Sequence, residues 1–207
     1  MSPTGSRLRA AAALLVGALA AGCAPQPPRA AAANVYLLSA LPAASSHRPA
    51  RREGVLAVSP PRAQPGFDTD RMVYVQRPYE IEYFADNRWA EPPARMLAPL
   101  LAQALERSGA FRAVVQAPSA VAADLRLDTE LVRLQQDFST RPSRIELTLR
   151  AQLVDLRHGR SLATREFDVT EPAPHDDPYG GVVAANQAVA RMLGQLVAFC
   201  ADAAANP

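Results

Sequence analysis

The chain has 207 residues, with 22 basic and 20 acidic side chains. This length allows one domain with a substantial hydrophobic core. Arg7 and Arg9 lie within the first 22 residues, which contain no acid, so removal of that segment would leave 20 basic and 20 acidic residues. A domain with zero formal charge has no excess charge to attract nucleic acid, so we expect no nucleic-acid partner.

The first 22 residues have the layout of an export signal. After the two arginines, an apolar run extends from Ala10 to Gly22 and ends in small residues. The run is shorter than the about 20 residues that a membrane-spanning helix needs. A basic start, a short apolar run and small residues at the cleavage point are typical of a secretory signal. The sequence therefore predicts a cleaved signal peptide at residues 1–22.

Cys23 follows this run directly, and Pro25 and Pro27 prevent a helix from continuing. The sequence LAAGC resembles the bacterial lipobox, in which the cysteine receives a diacylglyceryl group and its new amino group is acylated. The lipobox usually has leucine three residues before the cysteine, where this chain has Ala20. We interpret Cys23 as the lipid attachment site, and an ordinary cleaved signal that ends near a cysteine is the alternative.

The anchor also indicates a location. Two or more acyl chains hold a protein stably on a membrane. Ala24 stands where the inner-membrane retention signal has aspartate. We therefore expect the chain on the periplasmic face of the outer membrane of a Gram-negative bacterium, with no cofactor besides the covalent lipid.

The rest of the chain predicts one domain at residues 35–204, after the lipidated cysteine and a Pro/Ala-rich tether at residues 23–34. Strand-like segments lie at 35–41, 54–60 and 161–170, and a hairpin at 71–84 turns at Arg77-Pro78. The clearest alternation is in ADLRLDTEL (123–131) and RIELTLRAQL (144–153). Both patterns change phase near their ends, at Val132/Leu134 and Val154/Leu156, which predicts bulges.

Two amphipathic helices complete the pattern. The first begins near Pro92-Pro93 and ends at Gly109, and Pro99 inside it predicts a bend or a late start. The last follows EPAPHDDPYGG, where Asp177 suits the N-cap and Pro178 the first helical position. The predicted fold class is α+β, a mostly antiparallel sheet with two amphipathic helices packed on one face, in a single domain.

The search for catalytic motifs is negative. The chain has no G-x-S-x-G elbow, phosphate-binding loop or H-E-x-x-H motif, and its three histidines fall in separate predicted loops. His175, Asp176 and Asp177 have metal-ligand chemistry, but Asp177 is explained as a helix cap, so we predict no metal site. In the second arm of the predicted hairpin, Tyr79, Ile81 and Tyr83 alternate with Glu80 and Glu82 and should share one strand face. The two glutamates resemble a catalytic pair, yet alternation also puts acids on a wet strand face.

The remaining candidates are apolar. Cys200 lies on an apolar helical face and is interpreted as a small buried hydrophobe. Trp89, the only tryptophan, is interpreted as a packing anchor between a strand and a helix; contact with a partner protein is the alternative. Tyr79, Tyr83 and Phe84 of the predicted hairpin are, together with Trp89, the candidate partner contacts. We therefore predict no catalytic residues and no enzyme activity.

These segments resemble the family of ABC-type transport auxiliary lipoproteins, which includes the PqiC-like lipoproteins. The resemblance covers nearly all of the mature chain and rests on VYLLSAL, GVLAVSP, DRMVYV, IEYFADNRWAEPPARML, ALERSGAF and DLRLDTEL. It implies a non-enzymatic component on the outer-membrane side of a system that moves lipid between the membranes and supports envelope integrity. The implied partners are an MCE-domain periplasmic protein, an ABC permease and an ATPase.

Two other functions stay open at this point. A lipoprotein that assists outer-membrane barrel or lipopolysaccharide assembly would share the anchor and the tether. A periplasmic hydrolase would need a cleft with convergent polar groups. The sequence leaves the lipid carried, the direction of transport and the formation of a homo-oligomer open.

The lipobox interpretation predicts that Cys23→Ala abolishes lipid attachment, because no other thiol follows the signal directly. The variant should be soluble or keep its uncleaved signal. Metabolic labelling with radioactive palmitate, compared with the unchanged chain, measures the attachment. Label retained by Cys23→Ala would rule out the lipobox interpretation.

Overall fold

A computed structural model describes residues 32–43 and 54–205. Contacts divide the chain into two compact units, Met1–Ala32 and Ala33–Pro207. The predicted signal peptide, Cys23 and the loop with His47 lie outside the described residues.

The second unit combines strands and two helices. The strands are β1 (Asn34–Tyr36), β2 (Val55–Val58), β3 (Arg62–Ala63), β4 (Arg71–Val75), β5 (Glu82–Trp89), β6 (Ala113–Gln116), β7 (Leu125–Asp137), β8 (Arg144–Asp155) and β9 (Arg160–Pro172). The helices are α1 (Pro93–Ser108) and α2 (Pro178–Ala205). Both helices pack on the same face of one sheet, which confirms the predicted α+β fold.

Strand β7 lies at the centre of the sheet. One of its edges pairs antiparallel with β8, which pairs antiparallel with β9. Its other edge pairs parallel with β2, β3 and β4 in turn, and β5 and β1 follow beyond β4. The long pairings are antiparallel, as predicted, whereas the parallel pairings of the short strands were not predicted.

The predicted caps and the bulge in β7 are confirmed. The register shifts between Leu131 and Arg133 in the β7–β8 pair. The bulge predicted at Val154/Leu156 of β8 is wrong, because the register shift there leaves the extra residue, Leu162, on the partner strand β9. Gly109 ends α1 in the left-handed conformation, with φ of 67°. Asp177 caps α2, since its Oδ1 accepts a 2.6 Å hydrogen bond from the backbone N–H of Gly180.

Helix α2 is long and apolar enough, by length and composition, to cross a membrane. In this fold, however, its apolar stripe packs against β8 and β9, and Ala184, Val189 and Leu193 are fully buried there. The helix therefore contributes to the hydrophobic core of the domain.

The predicted strand at 35–41 is wrong beyond Tyr36. Residues 37–42, which we call the strap, lie along α2 without strand pairing. Asn186 on α2 explains the difference, because its side chain donates to the carbonyl of Leu37 at 3.0 Å. Its Oδ1 accepts from the N–H groups of Ser39 and Ala40, at 2.9 and 3.1 Å. A side chain from a distant helix thus binds the backbone groups that a strand would have used.

The hairpin at 71–84 is confirmed, but its second arm differs from the prediction. Strand β5 begins only at Glu82 and continues to Trp89. Its C-terminal half is held by parallel pairing with β1, in which Tyr36 stands opposite Trp89. Residues 79–81 lie in the turn, so the expected alternation of Tyr79 and Ile81 with Glu80 is wrong.

Trp89 is the last residue of β5 and has 3% of its surface exposed. It joins the hydrophobic core that includes Leu97 and Leu101 of α1. Its backbone N–H donates to the carbonyl of Asp70 at 2.7 Å. This position fits the packing-anchor interpretation of Trp89.

Truncation of the Trp89 side chain should cause a large loss of stability. Trp89→Ala should lower the free energy of unfolding by about 3–5 kcal/mol, the range for a buried aromatic side chain. Val121, which is 53% exposed, provides the control, because Val121→Ala at the surface should change stability by less than about 0.5 kcal/mol. Urea denaturation of both variants measures the difference, and equal midpoints would contradict the anchor role.

Candidate functional site

The hairpin between β4 and β5 presents an unusual tyrosine at its tip. Tyr79 is fully exposed and has φ of 69°, in the left-handed region. This conformation is uncommon for a residue other than glycine and costs free energy. The turn around it is closed by an ion pair of 2.8 Å between Arg77 and Glu80 and by a hydrogen bond between their backbones. The turn therefore holds an aromatic side chain out into solvent.

The other two aromatic candidates of the hairpin, Tyr83 and Phe84, lie on opposite faces of β5 and contact the domain itself. The guanidinium of Arg71 lies 4.0 Å from the ring centroid of Tyr83, whose hydroxyl donates to the carbonyl of Gly66 at 3.3 Å. Phe84 stacks with Tyr74 at 4.5 Å between centroids and lies 6.3 Å from Phe138. The four aromatic candidates therefore do not form one surface.

A groove of about 530 Å³ lies beside the hairpin tip, on the sheet face that the helices leave uncovered. The hairpin forms one wall of the groove, and β7, β8 and the loop between them form its floor. The lining residues are Val75, Pro78, Tyr79, Glu80, Ile81, Arg133, Gln135, Asp137, Ser139 and Glu146. An exposed aromatic tip with apolar neighbours thus borders a polar floor.

The charged side chains of the groove floor are paired with one another. Arg144 binds Asp137 at 2.9 Å, and Gln135 donates to Glu146 at 3.1 Å. Arg133 lies 3.6 Å from Glu146. Burial raises the pKa of Asp137, but hydrogen bonds from Ser139 and the charge of Arg144 outweigh it and hold that pKa below its usual range. The floor is a neutralised polar surface.

The polar residues considered for catalysis have structural partners. Asp176 accepts a 2.6 Å hydrogen bond from the N–H of Ser143, and Asp177 caps α2. His158 contacts Asp155 at 2.7 Å in the turn between β8 and β9. Within residues 32–43 and 54–205, no group of three His, Cys, Asp or Glu side chains could hold a metal ion.

The two glutamates considered as an acid/base pair are engaged separately. Glu80 lies in the turn and binds Arg77, whereas Glu82 lies on β5 and accepts from the hydroxyl of Tyr74. The hydrogen bond to Glu82, together with burial and the negative charge, raises the pKa of Tyr74. The structure therefore does not bring Glu80 and Glu82 together as a pair on one strand face.

Comparison with known proteins assigns a family. The model of the ABC-type transport auxiliary lipoprotein component matches residues 36–197. The chain belongs to this family. The segments that carried the resemblance in the sequence all lie within or beside the matched range. No curated protein matches the chain.

Solved structures share the fold of this auxiliary lipoprotein. Protein XCC0632 from Xanthomonas campestris is 23% identical, with a TM-score of 0.76 over 83% of this chain and 96% of its own. An uncharacterized protein is 15% identical, with a TM-score of 0.65 over 82% and 99% of the two chains. The hypothetical protein CT253 from Chlamydia trachomatis is 12% identical, with a TM-score of 0.54 over 75% and 100%.

Sequence reasoning missed two features of this region. The groove depends on the parallel pairing of β4 with β7, which brings the hairpin beside the β7–β8 floor. Contacts between strands so distant in sequence leave no local pattern. The role of Asn186 was also missed, although a lone asparagine among alanines and valines in the last helix was an available signal.

The environment of Cys200 predicts an unreactive thiol. Its side chain is fully buried, and desolvation raises its pKa to about 12. Because the thiolate is the nucleophile, the folded protein should react with a maleimide at pH 8 far more slowly than the urea-unfolded protein. Mass spectrometry of the peptide that contains Cys200 measures both rates. Equal rates would contradict the buried structural role.

Proposed function

We propose that this protein is an outer-membrane-anchored periplasmic lipoprotein that acts as the auxiliary component of an MCE-type ABC transport system. In this role it assists the movement of lipid between the membranes and supports envelope integrity. The observation that carries the proposal is the family match over residues 36–197. The lipobox-like sequence that ends at Cys23 supplies the anchor.

A non-catalytic role agrees with the chemistry of the described residues. Among the acids that the sequence offered for metal binding or catalysis, Asp177 caps a helix, Glu80 pairs with Arg77 in a turn and Glu82 accepts from a tyrosine hydroxyl. A catalytic site instead needs groups such as a nucleophile, a base and a stabilising donor that converge on one point. The proposal is therefore that the protein holds a partner and turns over no substrate itself.

The hairpin tip and its groove are the proposed docking surface for the MCE-domain protein. Protein interfaces are enriched in aromatic side chains at their centres and have polar rims. Tyr79 is fully exposed at a tip shaped by the Arg77–Glu80 pair, and Ile81 beside it is 45% exposed. Tyrosine provides a large apolar contact area together with a hydroxyl that remains hydrogen-bonded. The paired charges of the floor supply the polar part of this surface.

Site-specific photo-crosslinking in cells tests this proposal. A photoreactive amino acid in place of Tyr79 should capture the MCE-domain protein. The same amino acid in place of Leu156, which is 39% exposed in the turn between β8 and β9, should capture much less. Mass spectrometry of the crosslinked bands identifies the captured protein.

The other outcomes of this experiment are informative as well. An outer-membrane assembly protein captured at Tyr79 would support a different envelope-assembly lipoprotein. A second copy of the chain captured there would contradict docking of the transport partner at the tip. Hydrolytic activity that copurifies with the pure protein, without any captured MCE protein, would overturn the non-catalytic function.

A further inference from the structure

Two segments that lie side by side, one at the start of the described domain and one at the start of α2, contain no charged residue. Residues 32–43 form the first of these segments, and residues 178–190, at the start of α2, form the second. Charged residues make up 20% of the chain, so 25 average residues would carry about five. Neither segment therefore brings a charge to the place where the chain enters the domain, and the neighbouring charge in the sheet is that of Arg88, opposite Val35 in the β1–β5 pair.

The region also exposes large apolar side chains. Val35, Leu37 and Tyr179 each have 59% of their surface exposed, and we call these three residues the N-terminal patch. Val35 and Leu37 point the same way along the extended chain, whereas Leu38 on the opposite side is buried. The ring of Tyr36 lies 6.1 Å from that of Tyr179, which connects the two segments.

The backbone of Leu37, the patch residue that lies in the strap, is held in place by Asn186. Asn186 binds the carbonyl of Leu37 and the N–H groups of Ser39 and Ala40, at 2.9 to 3.1 Å. The same side chain donates to the carbonyl of Val182 in α2. Three hydrogen bonds from one amide therefore hold the backbone around Leu37 against α2 while its side chain is exposed, and the fourth fixes the amide on its own helix. Burial of Leu37 against the domain would require breaking the three bonds to the strap.

The length of the chain before the patch limits its distance from Cys23. Val35 follows Cys23 by twelve residues, which span at most about 43 Å when fully extended. A domain of this size has a radius of gyration of about 16 Å, so its diameter is about 40 Å. The chain can therefore place the patch no more than about one domain diameter from the lipid on Cys23.

We propose that the N-terminal patch rests on the surface of the membrane to which Cys23 attaches the chain. This inference depends on the lipid anchor of the proposed function. Tyrosine, leucine and valine, on two segments that carry no charge themselves, suit the boundary between headgroups and acyl chains, where a tyrosine ring lies in the apolar layer and its hydroxyl remains hydrated. The acyl chains provide the affinity, and the patch orients the domain.

A second copy of the chain suits the patch less well. A specific protein interface takes about 20–30 residues from each side, whereas the N-terminal patch has three exposed large side chains. Contact with a membrane needs no such area, because the anchor already holds the domain at the surface. The size of the patch thus favours lipid as its occupant.

Fluorescence quenching by nitroxide lipids tests the proposal on the full lipidated protein. A fluorophore sensitive to polarity is attached through Leu37→Cys, Tyr179→Cys or, as a control, Leu156→Cys. Cys200 is fully buried and does not compete for the label in the folded protein. Leu156 lies beyond the far end of β8, at the opposite end of this strand from the start of α2. Each protein is reconstituted in phosphatidylethanolamine–phosphatidylglycerol vesicles with and without nitroxide lipid.

We expect several-fold stronger quenching by nitroxide lipid at positions 37 and 179 than at position 156, independent of the protein-to-lipid ratio. Equal quenching at all three positions in a protein that floats with the vesicles would overturn the patch inference and leave the proposed function intact. A fluorescence shift that grows with protein density without nitroxide quenching would identify a second copy as the occupant and also overturn it. Failure of the unchanged protein to float would refute the anchor itself.

Discussion

The two-sided pairing of β7 is the constraint on which the rest of the domain depends. Twelve of its thirteen residues pair with β8 on one edge, and seven pair with β2, β3 or β4 on the other. Side chains alternate between the faces of a strand, so this central position gives the whole sheet one apolar and one polar face. Leu127 and Leu131 are fully buried under the helices, whereas Arg126 and Asp128 pair on the uncovered face. Both helices and the groove take their positions from this division.

The bulge between Leu131 and Arg133 preserves that division along the full length of the strand. A single extra residue shifts the alternation, so that Leu134 and Gln136 again face the helices after it. Gln136 is 1% exposed and donates to Ser143 and to the carbonyl of Asp177, at 3.0 and 3.1 Å. Gly181 packs so closely on this side chain that an added Cβ would lie 2.3 Å from it. The start of α2 is thus fixed to β7 by its first turn.

The parts of the fold that the sequence predicted are those with local signals. Asp177-Pro178, Gly109 and the alternation in 123–131 and 144–153 each act within a few residues, and the structure confirms them. The parallel pairings of β1 with β5 and of β4 with β7 join distant residues, so no local pattern shows them. The aromatic partner-contact candidates of the hairpin show the same limit of prediction from local patterns. Tyr79 was expected on a strand face with Tyr83, but the late start of β5 puts it in the turn, and its exposure depends on backbone geometry that no hydrophobic period encodes.

The same hydrogen-bond chain that fixes α2 also fixes the strap against this helix. Asn186 joins the strap to α2, and Gln136 joins the start of α2 to β7. The N-terminal patch, the helix and the central strand therefore form one connected unit, with buried leucines rather than flexible loops between them. The hairpin tip is attached to this unit through the pairing of Tyr74 in β4 with Gln136 in β7. A membrane contact at the patch would consequently influence the direction in which Tyr79 points, because these contacts join the patch, α2, β7 and the hairpin.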